Sequence, residues 1–412
     1  MSSPEAGELP LLDASLAGAV DLTDPALHVE YDLSAVWREL RDNEPVYWHR
    51  ATERGEGFWV VTRHADVTAV YRDCDTFSSQ RGNVLDRLQH DGDPAGGQMM
   101  AVTDGQRHNA LRTVLSKPFS PRALADVVDT VRAAARRLVR EAVTRGECDF
   151  VADVAARIPL AAICGLLGIP GSDQARILTA TSSALASASG TPTEEQTWQA
   201  KNDILHYFSR LVSARRAAPD DDVISLLTAC EAGGKKLRHS EVVLNCYSIL
   251  LGGNETTRYS MAGGLLALIR NPRQWDALRS GEVGVRGAVE EILRWTTPTL
   301  HAGRTAVTPA VIGGRQIAAG DIVTIWNASA NRDERKFDQP GLFDLRRDPN
   351  KHVTFAYGAH FCIGAYLARA EIAALLDALR TMVSKIELEG QPTRVYSNFL
   401  SGLSSMPVRL IG

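Results

Sequence analysis

Phe355-Ala356-Tyr357-Gly358-Ala359-His360-Phe361-Cys362-Ile363-Gly364 runs straight into a periodic stretch in which Leu367, Ala368, Ile372, Leu375, Leu376 and Leu379 share one helical face. One cysteine therefore stands between glycines at the end of a loop and the mouth of a helix. A thiolate there is stabilised by the helix N-terminus and its free N–H groups. Gly358 and Gly364 lack a Cβ, which lets a large flat ligand come close to the backbone. A lone cysteine is most often an inert buried residue, so its meaning depends on the rest of the chain. His360 and Cys362 do not form a zinc site, because no second Cys or His pair follows at finger spacing.

The bulk properties narrow the field. The chain has 412 residues, 44% hydrophobic and 23% charged, with a net charge of −4. That is ordinary for a globular protein, and without a basic run it favours neither nucleic acid nor a membrane surface. The first residues are acidic, carry Pro4 and Pro10, and contain no apolar span long enough for a bilayer. Six cysteines are scattered without paired spacing, as in a reducing cytosol. A cytoplasmic location is the expectation.

No repeat or low-complexity linker divides the sequence. Val46-Tyr47-Trp48 and Phe58 to Thr62 predict a hairpin, and helical periodicity dominates from Asp104 to about Leu268. Val311-Ile312 and Gln316-Ile317 flank Gly313-Gly314-Arg315 as a second hairpin, with Ile322 to Trp326 as a further strand. Irregular chain from Asn331 to Thr354 leads into the cysteine loop; so long a loop counts against the assignment unless it is functional. Small residues over 187–193 predict either a mobile lid or an ordinary surface loop.

Three further constellations carry chemistry. A helix over 240–270 would be about 45 Å long, and its middle reads Leu251-Gly252-Gly253-Asn254-Glu255-Thr256-Thr257. Two consecutive glycines inside a helix cost about 1 kcal/mol each, so a close ligand is the natural compensation. His108 and Arg112 are four apart at a helix start, with Thr103 or Asp104 as N-cap; stacked cationic donors can clamp a pair of carboxylates. Glu291 and Arg294 form an i,i+3 pair, common on any helix.

Together these stretches resemble the cytochrome P450 family of haem-thiolate monooxygenases. The family signature Phe-x-x-Gly-x-His-x-Cys-x-Gly is matched at Phe355, Gly358, His360, Cys362 and Gly364, with Ala356 where glycine is frequent. The Gly252–Thr256 stretch resembles the motif of the oxygen-binding helix, His108/Arg112 the family's propionate clamp, and Glu291/Arg294 its Glu-x-x-Arg. Phe119-Ser120-Pro121-Arg122 and Asn331-Arg332-Asp333 match as well, so the motifs cover about 103–364 in family order. The resemblance implies a mainly α fold with small β-sheets (α+β), a single triangular-prism-like domain over 26–412 after a tail over 1–25. It implies haem b (iron protoporphyrin IX) ligated by Cys362, with Arg304 and His360 as further propionate contacts. Thr256 would hydrogen-bond oxygen or an ordered water, and Glu255 would lie on the proton route. Arg347, with adjacent Arg346 as the alternative, would complete a structural network with Glu291 and Arg294.

The implied activity is O2-dependent hydroxylation, epoxidation or oxidative coupling of a small-molecule or carrier-bound substrate, in bacterial secondary metabolism. No flavin or iron–sulfur module is fused, so electrons would come from a separate ferredoxin and ferredoxin reductase. By family position the substrate pocket would draw on Met99, Met100, Tyr247, Leu250, Leu251, Thr299, Leu300, His301, Asn398 and Phe399. His301 reads as a substrate contact or as a packed wall histidine. A peroxide-using peroxygenase would carry Arg-Pro where this chain has Glu255-Thr256; a non-catalytic haem protein would make that pair irrelevant.

Overall fold

The computed structural model describes residues 9–185, 193–232 and 234–412. The stretch read as a lid falls outside them except for Thr193, whose hydroxyl caps the helix Glu194–Ala217. The expected hairpin is present as β1 (Val46–His49) and β2 (Phe58–Val61). Helix α1 (His64–Arg72) and β3 (Phe77–Ser78) follow. Helices α2 (Gly105–Ser116), α3 (Ala125–Arg145), α4 (Arg157–Leu166), α5 (His239–Arg270) and α6 (Val285–Thr296) then lead to β4 (His301–Ala306) and β5 (Ile322–Trp326). Helix α7 (Ala365–Met382) carries on from the cysteine loop. The second expected hairpin is Ala310–Ile312 with Arg315–Ile317.

Two packing units result. β1 to β5 build a five-stranded sheet in the order β1-β2-β5-β4-β3, with β5 parallel to β2 and the other pairs antiparallel; β5, at its centre, is buried along its whole length. The helical unit is one continuous core in which α7 packs on α3, α5 and α6. α5 is apolar on most faces and crosses this core, which is why it is long and needs little amphipathic character. Its start is closed by Glu241, whose carboxylate accepts the Arg238 N–H at 2.7 Å, and Pro272 follows its end. Among the described residues no helix is long and apolar enough to cross a membrane. Of the segment read as a tail, Leu22 is fully buried among Trp37, Phe58 and Trp326, and Asp24 caps the helix Pro25–Glu30.

The irregular chain from 331 to 357 is ordered by buried polar bonds. Glu291 and Arg294, both fully buried, are bidentate at 2.7 and 2.8 Å. The remaining Arg294 donors reach the carbonyls of Asn331, Pro340 and Leu342 at 2.9–3.1 Å. Glu291 also accepts from the Asp344 N–H, Asn350 and Arg347 Nε. Arg346 instead pairs with Glu282 on the surface. The buried ion pair is thus fully hydrogen-bonded, the condition under which it is tolerable. Asn331 ties the same region to Thr297, Thr354 and the Val353 N–H.

Candidate functional site

The cysteine loop closes on itself before the helix begins. The Cys362 N–H donates to the Phe355 carbonyl at 2.8 Å, and the Gly364 N–H points at the Cys362 sulfur. The sulfur opens into an interior cavity of about 320 Å³. Burial raises the thiol above its ordinary value, while the Gly364 N–H, Arg112 and Arg369 work against that. A cation bound in the cavity would favour the thiolate.

Gly358 has a different reason from the one expected. Its φ is +69°, and a Cβ would come within 2.7 Å of the Tyr71 carbonyl of α1. It serves loop-to-helix packing and does not line the cavity, whereas Gly252 and Gly364 do. Gly253 splits the difference: it lines the cavity, and a Cβ there would strike Ile163 of α4 at 2.8 Å.

The cavity wall also carries cationic groups. Arg304 is only 3% exposed; its Nη1 donates to the Gly303 carbonyl, its Nε has no partner, and it sits over the Tyr71 ring at 5.5 Å. Arg112 is half-buried, and among the described residues neither arginine forms a salt bridge. His108 is buried with an unpartnered Nε2, its ring 4.4 Å from that of His360. Burial, His360 and Arg112 hold His108 below its ordinary value, so it stands as a neutral donor until an anion arrives. Buried guanidinium groups without counter-ions and an orphaned imidazole nitrogen call for an anionic ligand. The paired carboxylates of a haem fit these donors, and Cys362 fits its iron.

Sequence reasoning missed Asp104. It stands at the N-cap position of α2, but its side chain does not cap. It accepts instead from Ser78 Oγ, the Ser79 N–H and His360 Nε2 at 2.7–2.8 Å. Burial would raise its carboxyl; His360 and these donors overcome that and lower it. His360 is thereby fixed in place. An Asp before a helix reads as a cap, so nothing local marked this role.

On α5 the cavity is lined by Ser248, Ile249, Gly252, Gly253, Thr256 and Thr257. The expected Tyr247, Leu250 and Leu251 are out of phase: Leu250 is fully buried in the helical core and the other two pack against it. Thr256 Oγ1 donates to the Gly252 carbonyl at 2.8 Å. Glu255 is fully buried and does not line the cavity; it is paired with Arg258 and accepts from Tyr259 at 2.8 Å and Asn254 at 3.0 Å.

Of the other pocket residues, Met100 and Thr299 line the cavity, and Met100 is held by Asn245 at 2.9 Å. Met99 does not; its carbonyl accepts from Thr103. Strand alternation places Ala302 and Arg304 of β4 towards the cavity and His301 away from it. His301 is the packed wall residue, fully buried between Trp326 at 4.7 Å and Phe399 at 5.5 Å. Leu300 packs against the sheet-side core, Phe399 against Tyr259, Val395 and Leu400, and Asn398 donates to the Thr23 carbonyl at 2.7 Å. Asn83, Ile163, Ser260 and Asn327 take their places on the wall.

Comparison with known proteins identifies the family. The cytochrome P450 family profile matches residues 285–406. Cytochrome P450 NovI of Streptomyces niveus is 47% identical, over 98% of this chain and 99% of its own. A methyl-branched lipid omega-hydroxylase of Mycobacterium tuberculosis is 37% identical over 86% of this chain and 84% of its own. The crystal structure of P450 OxyD, involved in the biosynthesis of vancomycin-type antibiotics, superposes with a TM-score of 0.89 at 34% identity, covering 96% of this chain and 100% of that one. Similarity at this level along nearly the whole length leaves one conclusion: the chain belongs to the cytochrome P450 family and is a haem-thiolate monooxygenase.

Proposed function

We propose that residues 26–412 form one catalytic domain that binds haem b and oxidises a small-molecule or carrier-bound substrate of bacterial secondary metabolism with O2. Its electrons come from a separate ferredoxin and ferredoxin reductase, and it works in the cytoplasm. One observation carries the reading: the Cys362 sulfur, the unpaired Arg112 and Arg304, the orphaned His108 and Thr256 all border one cavity. OxyD's description supports the metabolic setting.

When bound, the haem would supply oxygen activation, for which an anionic sulfur ligand is suited. This chain's residues do the rest. Cys362 ligates, with the Gly364 N–H on its sulfur. His108, Arg112, Arg304 and the Asp104-held His360 receive the two propionates. Ile163, Ile249 and Leu293 give the wall an apolar share, while Ser248, Thr299, Asn83 and Asn327 offer polar contacts that orient a ligand. Thr256, its proton committed to Gly252, presents lone pairs to a cavity water. Glu255 would join the proton route only by leaving Arg258, with which it is paired.

The reduced carbon-monoxide complex tests the cofactor: thiolate ligation gives the red-shifted Soret band, and its absence in the native protein would sink the reading. Thr256→Ala tests the chemistry. NAD(P)H oxidation should continue while product falls at least several-fold; unchanged coupling would instead indicate a non-catalytic haem protein.

A further inference from the structure

Three side chains of metal-ligating type meet beside the cavity. Cys74, in the turn between α1 and β3, Asp104, just before α2, and His360, in the cysteine loop, bring one ligand atom each within 4.8 Å of the others. His360 borders the cavity, whereas Cys74 and Asp104 do not, so the cluster lies on the outer side of the imidazole. Asp104 and His360 are 256 residues apart, which is why no ligand spacing marks the cluster in the sequence.

The hydrogen bonds leave suitable atoms in place. Asp104 Oδ2 is committed, accepting from Ser78 Oγ and the Ser79 N–H at 2.7 Å. Its Oδ1 meets His360 Nε2 at 2.8 Å. The Cys74 sulfur makes a long contact of 3.7 Å with the Tyr71 carbonyl. A carboxylate anchored through one oxygen and offering the other is the usual form of a supported metal ligand. Sulfur, imidazole nitrogen and carboxylate oxygen together suit zinc, and the sulfur disfavours magnesium or calcium. Zinc bonds of about 2.0–2.3 Å set tetrahedral ligand atoms about 3.5 Å apart, so closing the site takes a movement on the order of 1 Å.

The charges are compatible with a dication. Burial raises the Cys74 thiol above its ordinary value, and Arg304 opposes that. Zinc overcomes the burial with two positive charges, which a Cys74 thiolate and the Asp104 carboxylate balance. Asp73 and Asp75, both exposed, flank Cys74 and favour the approach of a cation from solvent.

We propose that Cys74, Asp104 and His360 form a zinc site, with Sγ, Oδ1 and Nε2 as ligands and water in the fourth position. The Cys74 thiol passes its proton to solvent as the zinc–sulfur bond forms. Zinc at Nε2 leaves His360 Nδ1 for another partner, and a ligating imidazole donates its other N–H to a carboxylate. A haem propionate would serve as that carboxylate, a consequence that rests on the haem reading.

The test uses the full-length holoprotein, freed of loose metal by a chelator and then given zinc alone. Equilibrium dialysis should find a single tightly held zinc per chain. Zinc should slow iodoacetamide alkylation of Cys74 several-fold, followed on the Cys74 peptide by mass spectrometry, and magnesium should not. Cys74→Ser should hold zinc several-fold more weakly with wild-type haem content. Asp104→Asn should lose the protection of Cys74; should that variant fail to fold, Cys74→Ser carries the comparison. Alkylation unaffected by zinc, equal protection by magnesium, or undiminished zinc affinity in Cys74→Ser would each overturn the site. Alkylation is read at Cys74 itself and needs no turnover, so its outcome is separate from that of the monooxygenase reading.

Discussion

Ala356 occupies a position where glycine is frequent in the resembling signature, and both residues are small. Size is not what the position asks for: Ala356 has φ +58°, in the left-handed region. A Cβ there costs about 1–2 kcal/mol, against about 0.5–1 kcal/mol of extra unfolded-state entropy for glycine. Ala356→Gly should therefore raise stability by up to ~1 kcal/mol, read from denaturant melts; a loss of stability would show that the loop tolerates the conformation without strain. His301 makes the second residue-scale prediction. Burial and His28 depress its titration to about 3, with the Asn398 backbone opposing. Its neutral form is the folded one, so it contributes stability above the ordinary value of 6.5 and loses it as pH falls towards about 3. Neither ring nitrogen has a hydrogen-bond partner of good geometry. His301→Phe should thus be nearly neutral at pH 7 and flatten the acid dependence of the melting midpoint. An unchanged acid limb would assign that loss to other groups.

At the scale of elements, phase and alternation decide which side chains meet the cavity. A helix turns about 100° per residue, so Ile249, Gly253, Thr256 and Ser260 form one face and Tyr247 and Leu251 project from another. Without knowing which face of α5 the ligand meets, the one-residue error is unavoidable, because α5 is apolar nearly all round. On β4 the period of two separates Arg304 from His301 in the same way. The 331–357 meander has no ladder of its own and depends on α6 through Glu291. Glu291→Ala would leave Arg294, and largely Arg347, buried without their carboxylate. It should cost about 3–5 kcal/mol, seen as a lower melting midpoint and reduced haem content. Arg346→Ala, by contrast, removes only an exposed pair with Glu282 and should stay within about 1 kcal/mol. Equal losses in the two variants would contradict the assignment of Arg347 to the network.

At the scale of the molecule, the cavity lies where α5, α7, the cysteine loop and β4 converge, so its charges come from distant parts of the chain. Arg112, Arg304 and His108 are short of counter-ions there. Extracting the cofactor should lower the calorimetric midpoint, since binding to the folded state alone is worth about 4 kcal/mol at a thousandfold excess over Kd. Arg304→Leu should bind haem more weakly yet melt above the wild type once both are stripped, because the uncompensated charge is gone. If native and stripped wild type melt together, this cavity is not the cofactor site. Local spacing was enough for the cysteine loop, the family and the structural Glu291–Arg294 pair, because those motifs are contiguous or lie one helical turn apart. Packing between remote elements set the rest: Asp104 as the anchor of His360, Arg347 reaching Glu291, and His301 sealed between Trp326 and Phe399. Each of those roles arises from burial and from a partner far along the chain, and neither is encoded in local spacing.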